Sequence, residues 1–239
     1  MGISMFVGTA ATVFLIPSFC LAKTGLPLLM IPFLYTSFIL FIITVVSHTA
    51  INLPLVLGKN PKTGQFPFWS ILLFFPFLLF SRLYFHFKRI KRRGEPLYNE
   101  IDDELYLGGW PRSKRDMPPG DLSVIDCTCD LPHSGLIDPE DYICIGAFDT
   151  RSPLPWQIEL AVRWACAKRV TGRKIYIHCA FGHGRSACVM CALLVTLGIA
   201  ESWKEAEKII CKKRPRIKMN RLHRSTLEEW SKIRSPLKL

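Results

Sequence analysis

The first 94 residues of this 239-residue chain contain no aspartate and no glutamate, and all 19 acidic residues lie from Glu95 onward. Nine of the 31 lysines and arginines precede Glu95, so the N-terminal part carries +9 and the remainder +3. A water-soluble fold of that length without a carboxylate is improbable, because charged side chains of both signs normally cover the surface. The chain therefore reads as two parts built for different solvents.

Apolar runs fill the N-terminal part. Residues 66–80, FPFWSILLFFPFLLF, are uncharged, with Arg82 the first charge after them. Residues 26–58 carry no charge, and residues 6–22 form another run. A helix of about 20 apolar residues crosses a hydrocarbon core of about 30 Å. The expectation is a multi-pass, all-α transmembrane region over residues 1–87, with three spans as the central count and two or four as alternatives. A cleaved signal peptide competes for the first run, although no lysine or arginine precedes Lys23 to supply the basic start of such signals. The cluster Lys88, Arg89, Lys91, Arg92 and Arg93 makes residues 88–94 a basic juxtamembrane linker. By the positive-inside rule it holds everything after it on the cytoplasmic, or inner, face, and its cations attract anionic lipid head groups.

The overall charge of +12 is thus mostly a property of the membrane-like part. No basic face with interleaved aromatics occurs beyond it, which excludes nucleic acid as a partner class. Of the nine cysteines, Cys166, Cys179, Cys188 and Cys191 sit in apolar stretches and read as free thiols in a reducing compartment. Cys127-x-Cys129 is too tight for a zinc pair and has no second pair of matching spacing, so no metal site and no cofactor are expected.

Residues 95–239 have the pattern of one globular domain. Residues 104–109, 122–129, 142–148 and 174–179 are strand-like runs bounded by Pro, Gly and Asp. Helical patterns start at Pro155 and at Arg185, the latter closed by Gly198, and two amphipathic segments follow, the first stopped by Pro215. Strands alternating with helices predict an α/β fold whose central sheet is mostly parallel and flanked by helices.

Within it, IYIHCAFGHGRSACV puts Cys179 at the C-terminal end of a central strand, and Arg185 and Ser186 at the start of the next helix. Ligands of open α/β sheets bind at such strand ends. The intervening Ala180, Phe181, Gly182, His183 and Gly184 can turn their N–H groups inward as an anion nest, with the glycines admitting backbone angles that a Cβ opposes. The following helix N-terminus adds positive potential, and Arg185 offers two parallel donors to one phosphate. The same field favours the Cys179 thiolate. A thiolate beside a bound phosphate is equipped for displacement at phosphorus.

HCAFGHGRS resembles the His-Cys-x5-Arg-Ser signature of the cysteine-dependent protein tyrosine and dual-specificity phosphatases. YNEIDDELYLGGWP is similar to the opening strand of the dual-specificity members, and KKRPRIKMNRLH to their Arg-Pro-x4-Asn segment, a tertiary staple. The resemblance covers most of residues 98–230. It implies a phosphocysteine intermediate on Cys179, a phosphate clamp in Arg185, and support for the thiolate from His178. It also implies help for the departing sulfur from the Ser186 hydroxyl. The family's general acid lies on a loop about thirty residues before the cysteine, a spacing matched by Asp149; Asp141 and Asp126 are weaker candidates. The opening is most similar to atypical members acting on phosphatidylglycerophosphate. AFGHGR is similar to the Gly-Lys-Gly-Arg loop of phosphoinositide-directed members, with His183 in place of one lysine and Ala180 in place of the other. A pH-dependent pocket charge and a solvated loop residue are the two readings of His183.

The expected activity is that of a membrane-anchored, metal-independent phosphomonoesterase acting on phosphoprotein (Tyr, Ser or Thr) substrates. The alternatives are a phospholipid phosphatase of phosphatidylglycerophosphate or phosphoinositide type, and a phosphate-binding pseudophosphatase scaffold. Organelle and oligomeric state are not encoded in these motifs.

Overall fold

A computed structural model of the chain describes residues 2–24, 27–133, 135 and 137–234. The chain divides into two compact units, Met1–Gly58 with Phe66–Lys91, and Lys59–Gln65 with Arg92–Leu239.

In the first unit, α1 (Ile3–Lys23) and α2 (Pro27–Val46) contain the two helices among the described residues that are long and apolar enough to cross a membrane. Small residues let them approach closely. A Cβ on Gly8 would lie 3.1 Å from Thr44 Cγ2, and Ser37 Oγ donates to the Ala11 carbonyl at 2.8 Å. Ile16, Phe19, Phe38 and Phe41 point outward, as on a lipid-facing surface. Residues 66–80, expected as one continuous span, are divided instead. α3 (Phe68–Leu73) stops at Phe74, and α4 (Phe75–Lys91) starts anew and ends in the basic cluster. Pro76 explains the break, because it has no N–H for the Leu72 carbonyl and its ring crowds that group. The carbonyls of Leu72 and Leu73 accept from the Tyr35 hydroxyl at 2.6 and 2.9 Å.

The second unit is an α/β domain. Its sheet comprises β1 (Tyr98–Asp102), β2 (Leu105–Gly108), β3 (Leu122–Thr128), β4 (Tyr142–Ala147) and β5 (Lys174–His178), in the order β1-β2-β5-β3-β4. All pairs are parallel except β1 with β2. The mostly parallel sheet is thus present, but its opening is a hairpin turning at Glu104 (φ 59°) where the sequence reads as a single strand. Around the sheet lie α5 (Pro155–Val170), α6 (Arg185–Thr196), α7 (Trp203–Lys213) and α8 (Arg221–Arg234). Pro155 opens α5 with φ preset, and Ser202 caps α7 by accepting from Glu205 N. α6 is apolar on all sides because β5, α5, α7 and α8 surround it, and Arg185 to Leu194 are all buried.

Residues 59–65, which interrupt the apolar runs in sequence, belong to this second unit. Asn60 Oδ1 accepts from Lys62 N and Thr63 N, closing a tight turn. The Pro61 carbonyl then accepts from Cys144 N of β4 at 2.7 Å, and the Gly64 carbonyl accepts from His133 N at 2.9 Å. Gly64 needs φ 65° with Tyr142 and His133 pressed against its α-carbon, conditions only glycine meets.

Candidate active site

β5 is buried in the middle of the sheet and delivers Cys179, only 3% exposed, to its C-terminal end. The chain then loops through residues 180–184 into α6. Four successive loop carbonyls are tied outward. Ala180 O accepts from Trp110 N at 3.2 Å and His183 O from Lys218 N at 2.8 Å. Phe181 O and Gly182 O accept from Arg214 Nη2 and Nε at 2.9 and 3.1 Å. Because the N–H of a peptide unit opposes its C=O, fixing these carbonyls outward aims the N–H groups of residues 181–184 inward, as an anion nest requires. Gly182 N donates to Cys179 Sγ at 3.3 Å, and Ser186 Oγ does so at 3.2 Å.

The two loop glycines are needed for different reasons. Gly182 has φ 75° and lies against the Gly108 backbone, where a Cβ would come within 2.5 Å. Gly184 has a negative φ of −124°, and space is what it supplies: a Cβ there would meet His223 Cε1 at 2.7 Å.

Burial by itself raises the Cys179 thiol pKa. The Arg185 charge, the Ser186 hydroxyl and backbone N–H groups outweigh that and hold it below the ordinary thiol value. Arg185 is 2% exposed, and its Nη1 donates to the Ala147 carbonyl at 2.8 Å. Its Nη2 lies 3.2 Å from Asp149 Oδ1, and its Nη1 lies 3.6 Å from Asp130 Oδ1. Burial works against the guanidinium charge, but Asp149, Cys179 and Asp130 more than restore it.

Asp149 therefore reaches the loop as its spacing predicts. Its segment is strained and tied down, since Thr150 is β-branched yet has φ 64°. Asn220 Nδ2 donates to the Thr150 carbonyl at 2.7 Å, and His223 Nε2 lies 3.1 Å from the Arg151 carbonyl. Burial lowers the His223 pKa to about 4, and Asn220 N donates to its Nδ1, so the neutral ring carries its proton on Nε2. The Arg-Pro-x4-Asn staple thus has two tasks, Arg214 on the phosphate loop and Asn220 on the Asp149 loop.

The weaker acid candidates lie elsewhere. Asp141, at the opposite end of β4, accepts from Ser123 and pairs with Lys168 and Arg173. Asp126 is fully buried beside His178 and bonded to Lys59. His183 is not a solvated loop residue. Its ring is mostly buried, with Nδ1 2.9 Å from Arg92 Nη1 and Nε2 bonded to Glu95, and Arg92 stacks over Phe181 at 5.0 Å. Burial lowers its pKa, while Glu95 opposes that shift.

The dual specificity phosphatase catalytic-domain model matches residues 105–233, more than half of the chain. The chain belongs to the dual-specificity phosphatase family. This dual-specificity phosphatase is a cysteine-based enzyme that hydrolyses phosphate esters. It is 28% identical over 195 residues to the phosphatidylglycerophosphate phosphatase PTPMT2 of Arabidopsis thaliana, covering 75% of this chain and 81% of the relative. Its fold is shared with the crystal structure of PTPMT1 in complex with PI(5)P (TM-score 0.51, 20% identity, 60% of this chain and 99% of that one). It is shared also with a variant of human DUSP28 (TM-score 0.50, 18% identity, 59% and 99%).

Several side chains at this phosphatase site were not read from the sequence. Asp130 is buried beside Arg185, and burial raises its carboxyl pKa against the pull of that cation. Its place just beyond β3 was the available signal, because strand ends of this sheet converge on the site. Arg92, Glu95 and His223 had no local signal.

Proposed function

We propose that this dual-specificity phosphatase removes a phosphomonoester from an anionic phospholipid, in preference to a phosphoprotein. The observation that carries this reading is a cavity of about 440 Å³ beside the phosphate loop, lined by Arg92, Glu95, His183, Arg216, Ile217 and Lys218. Three cations there face one carboxylate, and Glu95 is already engaged by His183 and Arg214. Such a rim favours a substrate with a second negative group near the ester to be cleaved, as a phosphodiester lipid has. The activity named for the Arabidopsis relative points to the same class. Anchoring by α1 and α2, with the basic cluster keeping the catalytic unit on the inner face, brings lipid head groups within reach.

The distances in the site support the following chemistry. The Cys179 thiolate attacks phosphorus while the N–H groups of residues 181–184 and Arg185 bind the equatorial oxygens. Asp149 gives its proton to the departing alkoxide, leaving a phosphocysteine. Asp149, now a carboxylate, takes a proton from water as that water attacks phosphorus. The sulfur leaves as thiolate, stabilised by the Ser186 hydroxyl.

Turnover of phosphatidylglycerophosphate and of phosphotyrosine and phosphoserine peptides by the full chain in mixed micelles tests the proposal. A kcat/KM at least a hundredfold higher on the lipid is expected, with Arg216→Ala/Lys218→Ala lowering the lipid rate alone. Equal rates on lipid and peptides would refute it.

A further inference from the structure

Lys59 brings a cation into the interior of the catalytic unit from outside the matched family domain. Its ammonium group donates to Asp126 Oδ2 at 2.7 Å, the Thr128 carbonyl at 2.8 Å and Thr128 Oγ1 at 3.2 Å. Asp126 Oδ1 accepts from Thr128 N and Oγ1, both at 2.7 Å, and lies 3.9 Å from His178 Nδ1. That ring nitrogen is buried with no hydrogen-bond partner among the described residues. Asp126 and His178 are directly paired across β3 and β5, and Cys179 is the next residue. A chain of neighbouring charged and polar groups therefore runs from Lys59 to Asp126 and, across 3.9 Å without a hydrogen bond, to His178 next to Cys179.

We propose that Lys59 is a positioning residue that compensates the Asp126 carboxylate and thereby fixes the charge behind the His178–Cys179 pair. The other groups facing this cluster are Tyr142 and Cys144 from β4, Tyr176 from β5, Cys129, and His133 from the loop after β3. None of them brings a full positive charge to Asp126 in the neutral pH range, because burial also lowers the His133 pKa. Burial drives His178 to about 4 even with Asp126 beside it, so the ring is neutral while Lys59 is in place. Removing Lys59 leaves one uncompensated negative charge behind the thiolate, and removing Asp126 leaves one positive charge. At a separation of about 10 Å and an effective dielectric near 20, either imbalance shifts a thiol titration by about one unit.

The assignment rests on Cys179 as nucleophile and not on the identity of the substrate. The test uses the full chain in detergent micelles, with the rate of iodoacetamide alkylation of Cys179 followed by peptide mass spectrometry across pH. Loss of aryl phosphate turnover on alkylation of the unsubstituted protein independently checks the cysteine chemistry. Lys59→Met is expected to raise the Cys179 midpoint, Asp126→Asn to lower it, and Lys59→Met/Asp126→Asn to return it to the original value. If Lys59→Met does not fold, the opposite displacement of Asp126→Asn relative to the double variant carries the test. Coincident midpoints, displacements of one sign in both single variants, or folding of the double variant alone would reduce Lys59 to a structural residue and overturn the proposal.

Discussion

Arg214→Met should weaken anion binding as well as stability. The guanidinium is 2% exposed and contacts the carbonyls of Phe181, Gly182 and Pro96, the Asn99 side chain and Glu95. Breaking a buried ion pair by deleting one partner costs about 3–5 kcal/mol, because the other charge stays in the interior. Here Glu95 keeps His183, and the exposed Arg216 at 3.7 Å, which favours the lower end of that range. Glu95→Gln added to Arg214→Met should recover about 1–2 kcal/mol by removing the stranded charge. The functional loss has a different origin. Without Arg214, two peptide units lose their outward ties, and the N–H groups at residues 182 and 183 lose their orientation. Two weakened hydrogen bonds to an oxyanion, at about 1–1.5 kcal/mol each, amount to about 30–150-fold in affinity. Vanadate inhibition of aryl phosphate hydrolysis reads the second effect, and chemical denaturation in the same micelles reads the first. Arg214→Lys keeps the charge but not the planar fork, so it should regain more stability than inhibitor affinity. A vanadate Ki within threefold of the unsubstituted enzyme, alongside a lowered denaturation midpoint, would refute the idea that Arg214 organises the loop.

Asp149→Asn should slow an alkyl phosphate ester by about 10²–10⁴-fold and an aryl phosphate far less, since a phenoxide needs little protonation to leave; equal losses in single-turnover assays would remove it from the acid role. Gly184→Ala should push the His223 ring away from the Arg151 carbonyl, costing about 1–3 kcal/mol by overpacking and loosening the Asp149 loop; a paired His223→Ala change should relieve the clash. His178 and His223 are buried with values near 4, below the ordinary histidine value, so the unfolded chain binds more protons in between. Their contribution is thus fully present above about pH 6.5 and is lost as pH falls towards 4. Denaturation midpoints should drop across that window, with a shallower drop in His223→Gln.

The placement of Cys179 beside Arg185 and the parallel sheet were legible because their signals are local. A strand, a nine-residue loop signature and a helix start fall within one stretch, and backbone preference ties them together. Asp149 was legible through its spacing to Cys179, since one strand and one helix of ordinary length separate them. The residues that set the environment of this loop have no such locality. Arg92 reaches His183 across 91 positions, and Arg214 reaches Glu95 across 119. In the sequence Arg92 is one cation in a basic cluster whose topological meaning is already sufficient, so nothing marks it as a partner of the loop. The two readings of His183 shared the same omission. Each supposed a ring with an open side, whereas Arg92 and Glu95 occupy its two nitrogens.

Lys59 carries that reasoning furthest. It stands between apolar runs, where a lysine ordinarily marks the mouth of a membrane helix, and its neighbours Asn60, Pro61 and Gly64 spell an ordinary surface turn. Only the pairing of Pro61 with the edge of β4 turns its side chain inward, towards a carboxylate 67 positions away. Asp126, read alone, is an aspartate inside a fully buried strand, and a buried carboxylate needs a cation within reach. The strand itself therefore posed the demand for such a partner, and the fold answers it from a segment that composition had assigned to a different solvent.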